Sequence, residues 1–148
     1  MDLALYRSAS AGITLAVLML FAPENAQAQN VSFEVELTGA NEVPPVTTEA
    51  TGTARVNFGQ TSRRLIYRIN YEGLSGPATG AHFHGPAEPG ENADVVVPIE
   101  GDLTSPIAGS VDLTEEQAEQ FLEGLWYINI HTEANPQGEI RGQVAEDS

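Results

Sequence analysis

VSFEVELT, residues 31–38, alternates apolar and polar side chains without interruption. Successive side chains of an extended strand point to opposite faces, so this period of two predicts a strand with one buried face. The same alternation recurs over residues 53–58 and 65–71, on either side of a short turn at residues 59–63. We therefore expect these two segments to pair as a β-hairpin.

Further short strands and one helix follow along the chain. The strands are predicted over residues 81–84, 94–99, 107–113, 125–132 and 139–144. Thr114 and Gln117 have the spacing of a capping box, and Gly124 stands where a helix would end, so one helix is indicated between them. Many short strands with turn signals and a single helix favour an all-β fold, an antiparallel Greek-key β-sandwich with one short helix.

The N-terminal segment is typical of an export signal. Arg7 precedes the apolar residues 11–22, and Ala26-Gln27-Ala28 is a small-x-small cleavage pattern. We expect residues 1–28 to be a signal peptide and residues 29–148 to be a single domain. The apolar stretch is shorter than the roughly 20 residues that span a bilayer. The expectation is an exported protein, periplasmic or extracellular, without stable membrane insertion after cleavage; the alternative is a retained N-terminal anchor.

The composition excludes several classes of partner and site. The formal charge is −15, and the chain has no lysine and no cysteine. Phosphate backbones and anionic lipids would repel such a surface, so nucleic acid is excluded as a partner. Without thiolates, cysteine zinc sites, iron–sulfur clusters and blue-copper centres are excluded too. Any metal site must use imidazole, carboxylate, amide, hydroxyl or water ligands.

All three histidines lie in two of the predicted strands, with His82 and His84 in one and His131 in the other. Residues two apart on a strand point the same way, with α-carbons about 6.6 Å apart. Two such imidazoles, with a third from a neighbouring strand, form a nitrogen site that suits copper, with zinc as the alternative metal. The other interpretation is that the histidines only make structural hydrogen bonds.

Three polar residues are candidates for supporting this site. Asn129, Glu139 or water could complete the coordination shell. Glu139 and Arg141 share one face of a strand by alternation, so Glu139 could orient a ligand histidine and Arg141 could guide an anion to the metal. Alternatively, these two charges pair with each other or with neighbouring strands.

Four separated blocks of the sequence resemble the CHRD domain family, named from chordin and also found alone in exported bacterial proteins. They are LTGANEVPPV (37–46), YEGL (71–74), HFHGPA (82–87), and YINIHT (127–132) with PQGEIRGQ (136–143). The resemblance covers nearly all of residues 29–148. It implies an exported module but no established general activity.

A second similarity is to the copper strands of copper/zinc superoxide dismutases. GAHFH (80–84) and IHT (130–132) resemble the segments that supply three of the four copper histidines in that family. Residues 85–100 contain no histidine, so the bridging ligand and the zinc-site histidines are missing, as is the disulfide. The similarity implies a superoxide dismutase-like or immunoglobulin-like sandwich and a copper position at His82, His84 and His131.

The leading hypothesis is an exported protein with a mononuclear three-histidine copper site, for copper binding, buffering or delivery, or for one-electron redox. Two alternatives stay open: a copper-only superoxide dismutase-like enzyme with Arg141 steering superoxide, and a non-catalytic extracellular interaction or adhesion module with structural histidines. The sequence does not identify a catalytic residue or a protein partner.

Overall fold

The computed structural model describes residues 29–145, and the predicted signal peptide lies outside them. These residues form eight strands, one α-helix and a single-turn 3₁₀ helix, Gly39–Asn41. The elements are β1 Asn30–Thr38, β2 Thr51–Gly59, β3 Arg64–Glu72, β4 Ala78–His84, β5 Val95–Pro98, β6 Ile107–Asp112, α1 Glu115–Leu122, β7 Trp126–Thr132 and β8 Ile140–Val144. Within residues 29–145, no helix is both long and apolar enough to cross a membrane.

All eight strands join one antiparallel sheet in the order β5-β4-β7-β8-β1-β2-β3-β6. The sheet has two halves, β5-β4-β7-β8 and β1-β2-β3-β6. The link between them is narrow, since β8 and β1 pair only at Thr38 and Arg141. The sheet closes over itself there: Tyr67 on β3 and Phe83 on β4 lie in opposite halves, yet their ring centroids are 5.3 Å apart. The predicted class, an all-β sandwich-like fold with one short helix, is confirmed.

The strand phases follow the sequence alternation. Phe33, Val35 and Leu37 of β1 are buried, whereas the polar residues between them are exposed. The predicted hairpin is present, because β2 pairs with β3 over their full lengths up to Gly59 opposite Arg64.

The core lies between the two halves of the sheet and is closed at one end by α1. Phe121 of α1 is fully buried, and its ring contacts Phe33, Phe58 and Trp126 with centroid distances of 5.2, 5.3 and 5.6 Å. Aromatic contacts of this kind add to the burial of apolar area. The helix thus covers the opening that β1, β2 and β7 leave.

The capping box predicted for α1 is present. The backbone N–H of Gln117 donates to Thr114 Oγ1 at 3.2 Å, and the backbone N–H of Thr114 donates to Gln117 Oε1 at 3.0 Å. Gly124 follows the helix with a φ of +76°, a left-handed value that favours glycine. Both ends of the helix are therefore encoded locally.

Thr114→Ala should lower the free energy of unfolding by about 1 kcal/mol, because the N–H of Gln117 loses its cap. Urea denaturation followed by circular dichroism measures the change. Glu119→Ala, on the exposed face of the same helix, is the control and should have almost no effect. Equal stability of Thr114→Ala and wild type would contradict the cap's role.

Candidate metal centre

The three histidines lie on the outer face of neighbouring strands in one half of the sheet. Ala81 and Phe83 of β4 point into the core, so His82 and His84 point outward. In the register between β4 and β7, His82 pairs with Asn129, and Gly80 pairs with His131. The antiparallel pairing thus brings His131 beside the two histidines of β4, as the sequence predicts.

The imidazoles are close enough to share one ion. His82 and His131 have ring centroids 4.8 Å apart, and His84 lies 5.6 Å from His82 and 6.2 Å from His131. One ring nitrogen from each falls within 4.8 Å of the others, and His82 Nδ1 is 3.0 Å from His131 Nε2. Ligands across a metal with 2.0–2.1 Å bonds are about 4 Å apart, so a small contraction completes the site.

Two backbone carbonyls determine which nitrogens are free. Nδ1 of His84 lies 3.0 Å from the Ala93 carbonyl oxygen, and Nδ1 of His131 lies 3.0 Å from that of Pro136. A carbonyl only accepts, so each Nδ1 carries the proton and each Nε2 carries a lone pair. Within residues 29–145, the buried Nε2 of His84 finds no hydrogen-bond partner. Each Nε2 therefore carries a lone pair, and that of His131 faces Nδ1 of His82 at 3.0 Å.

Burial keeps these imidazoles neutral. It lowers the pKa of His82, whose ring also lies near those of His131 and His84. Burial likewise lowers the pKa of His84 and His131, although the carbonyls of Ala93 and Pro136 act in the opposite direction. Neutral imidazole is the form that binds metal ions.

Of the three predicted supporting residues, Asn129 lies beside the histidines. Its side chain is 2% exposed, and Oδ1 is 2.9 Å from His131 Nε2. Its amide nitrogen donates to the Gln137 carbonyl at 3.4 Å. Asn129 is thus in position to contact a metal held by His131.

Glu139 is engaged away from the histidine rings. Its carboxylate accepts from the hydroxyls of Ser75, Thr132 and Thr48 at 2.6, 2.6 and 2.8 Å, and from the backbone N–H of Ser75 at 3.0 Å. Burial by itself would raise the pKa of this carboxyl, but the hydrogen bonds from Ser75, Thr132 and Thr48 lower it to about 2. Glu139 joins three separate segments instead of contacting a histidine.

Arg141 is also engaged, and its guanidinium packs on the Tyr127 ring. The guanidinium donates to Asn92 Oδ1 at 3.0 Å and to the Glu91 carbonyl at 2.6 Å, and its Cζ lies 3.4 Å from the Tyr127 ring centroid. The Tyr127 ring stacks on His84 with a centroid distance of 4.8 Å and an angle of 1°. Arg141 therefore ties the loop over residues 85–94 to the site.

Sequence reasoning missed three residues of this face. Tyr127 has the same strand phase as Asn129 and His131, a signal that could have found it. Gly80 has no β-carbon, which would lie 3.1 Å from Cε1 of His82. Glu42 is 5% exposed; burial raises its pKa to about 7, while the charge of Arg141 and the neighbouring Asn129 amide act in the opposite direction. No local pattern brings Glu42 here.

Comparisons with known proteins support the resemblance seen in the sequence. The chain is 35% identical to chordin from Danio rerio and 36% identical to chordin from Xenopus laevis, in each case over 118 residues and 74% of this chain. It spans only 12% of the length of these relatives. No solved structure matches it. The model of the CHRD domain matches residues 33–144, from β1 to β8, and the chain therefore belongs to the CHRD domain family.

Proposed function

We propose that this protein is an exported metal-binding protein that holds one copper ion through Nδ1 of His82 and Nε2 of His84 and His131. Its role would be to bind, buffer or deliver copper in the periplasm or outside the cell. Export is supported by the signal-like pattern in residues 1–28. Zn²⁺ is the alternative ion, since the same imidazoles can bind it.

Nε2 of His84, which has no hydrogen-bond partner in the described part of the chain, is the observation that carries the proposal. A buried acceptor without a donor costs about 1–3 kcal/mol, and a metal ion removes that cost. Nε2 of His131, whose ring centroid lies 6.2 Å from that of His84, also carries a lone pair, because Nδ1 of the same ring donates to Pro136. These two nitrogens support the proposal of a cation site.

The spacing of the ligand atoms is compatible with copper, and the nitrogen ligands favour it. Two nitrogens bound at right angles to a metal at 2.0–2.1 Å are about 2.9 Å apart, and His82 Nδ1 lies 3.0 Å from His131 Nε2. Right-angle contacts are typical of tetragonal Cu²⁺, which nitrogen ligands also bind more tightly than Zn²⁺. On binding, His82 changes tautomer: the proton between these two nitrogens is transferred to Nε2 of His82, so that Nδ1 is free to bind the ion.

Isothermal titration of the metal-free protein with Cu²⁺ and Zn²⁺ tests the proposal. We expect one tight Cu²⁺ site, with His82→Ala, His84→Ala and His131→Ala each weakening binding by about a hundredfold or more, beyond the 10- to 100-fold typical of supporting residues. Asn70→Ala, exposed on β3, is the matched control and should bind as wild type does.

The titration also separates copper binding from an interaction module without metal. That second function is favoured by the family match, in which this chain corresponds to a small part of two much longer relatives. Copper binding that is equally weak in wild type and all three histidine variants would overturn the copper proposal and leave the interaction module.

The dismutase alternative gains less support from the geometry. In that reading, Arg141 guides an anion to the copper. Its side chain is 2% exposed and its guanidinium is committed to Asn92, Glu91 and Tyr127. The arrangement favours a structural role for Arg141 and a binding role for the site.

A further inference from the structure

Asn129 presents its amide oxygen to an atom that cannot donate to it. Asn129 Oδ1 lies 2.9 Å from His131 Nε2, and Nδ1 of that histidine already donates to Pro136. In the neutral ring, Nε2 is then a lone pair, so two acceptors face each other without a proton between them. A cation that both atoms bind resolves this contact.

The orientation of the Asn129 amide is determined by two acceptors near its nitrogen. Asn129 Nδ2 faces the Gln137 carbonyl oxygen at 3.4 Å. The carboxylate of Glu42 lies on the same side: a β-carbon built on Gly138 would meet Glu42 Oε1 and would lie 2.7 Å from Asn129 Nδ2. Turning the amide over would place Oδ1 against these two oxygens, so the nitrogen points away from the histidines and the oxygen points toward them.

Among the residues that the structure describes, no other group donates to the Glu42 oxygen that approaches Asn129. It is 5% exposed, and within residues 29–145 its buried Oε1 has no hydrogen-bond partner of good geometry. Gly138 makes the approach possible, since its missing side chain and its φ of +127° leave the space between Glu42 and Asn129 open. A small rotation of the amide completes a hydrogen bond from Asn129 Nδ2 to Glu42.

We infer that Asn129 Oδ1 is the fourth ligand of the metal and that Glu42 is the positioning residue that holds this oxygen toward it; the inference rests on the proposed function. The distance of 2.9 Å between Asn129 Oδ1 and His131 Nε2 matches the roughly 2.9 Å between ligands at right angles. The site is then three nitrogens and one oxygen. Because soft sulfur ligands select Cu⁺, such a site favours Cu²⁺.

Copper titration combined with electron paramagnetic resonance of the Cu²⁺-loaded protein tests the inference. We expect Asn129→Ala to weaken Cu²⁺ binding by about 10- to 100-fold and to change the copper hyperfine splitting. Glu42→Ala should weaken binding about tenfold and shift the spectrum in the same direction. Glu42→Gln should restore most of both, because its amide oxygen still accepts from Asn129.

Matched variants and a second measurement keep the outcomes distinct. Asn70→Ala and Glu36→Gln change exposed residues of the opposite half of the sheet and should leave affinity and spectrum unchanged. X-ray absorption of the wild-type protein, which needs no variant, should show three imidazoles and one further oxygen at bonding distance.

Wild-type spectra and affinity in Asn129→Ala would overturn the fourth ligand while leaving the three-histidine site intact. Equal affinity of Glu42→Ala, Glu42→Gln and wild type would overturn the role of Glu42. A wild-type protein that binds no copper would overturn the proposed function itself, and this inference with it.

Discussion

Gly142→Ala should destabilise the fold by about 3 kcal/mol, the upper part of the range for overpacking a filled site. Gly142 lies in β8, where this strand crosses β1 and the two halves of the sheet join. A β-carbon there would meet the carbonyl oxygen of Glu36 and lie 2.5 Å from Cγ1 of Val35. The obstacle is strand backbone, which cannot yield without loosening the junction. Urea denaturation of the variant measures the loss.

Gly76→Ala is the matched control, because a β-carbon at Gly76 has nothing within 4 Å. We expect its stability to equal that of wild type or to rise slightly, since alanine restricts the unfolded chain more than glycine does. Similar stabilities of Gly142→Ala and Gly76→Ala would show that β8 can shift away from β1 without cost.

The strands β1, β2 and β3 were predictable because each buries one face. The alternation that places Phe33, Val35 and Leu37 in the core is a local property of the sequence. The capping box of Thr114 and Gln117 is local as well. Where a single face or a single turn determines the element, periodicity and spacing were sufficient.

The candidate site was predictable only in its histidines. His82 and His84 share a face by their spacing, and the pairing of β4 with β7 adds His131. Glu42 reaches the site through a loop far along the chain, so no periodicity could reveal it. The prediction that Glu139 shares a strand face with Arg141 also failed, because Glu139 precedes β8, which begins at Ile140.

The hydrogen bonds of Glu139 could not be predicted from the sequence, and removing its side chain has the largest expected effect on stability. Glu139→Ala should destabilise the fold by about 4 kcal/mol, because the buried hydroxyl of Thr132 and the donors of Thr48 and Ser75 lose a charged acceptor that is itself fully buried. These donors lie 7, 64 and 91 residues away in the sequence, at Thr132, Ser75 and Thr48. Thermal and urea denaturation measure the loss.

If the proposed copper site is correct, the same variant should also weaken Cu²⁺ binding, by about tenfold. Glu139 and Thr132 close the base of the loop over residues 133–138, whose Pro136 carbonyl orients the ring of His131. Glu36→Gln, an exposed carboxylate on β1, is the control for the loss of one negative charge. Undiminished copper affinity in Glu139→Ala would show that the loop keeps its shape without this carboxylate.

The pH dependence separates the carboxylate charge of Glu139 from its shape. The pKa of Glu139 is lowered from 4.5 to about 2 in the folded protein, so the ionised form favours folding. This contribution is complete above pH 4.5 and disappears as the pH falls toward 2; it amounts to about 3 kcal/mol at 1.36 kcal/mol per pH unit. Glu139→Gln cannot ionise and lacks it. The difference in free energy of unfolding between wild type and Glu139→Gln should therefore shrink from pH 5 to pH 2. A constant difference would mean that the hydroxyls bind the protonated Glu139 carboxyl as well as they bind the carboxylate.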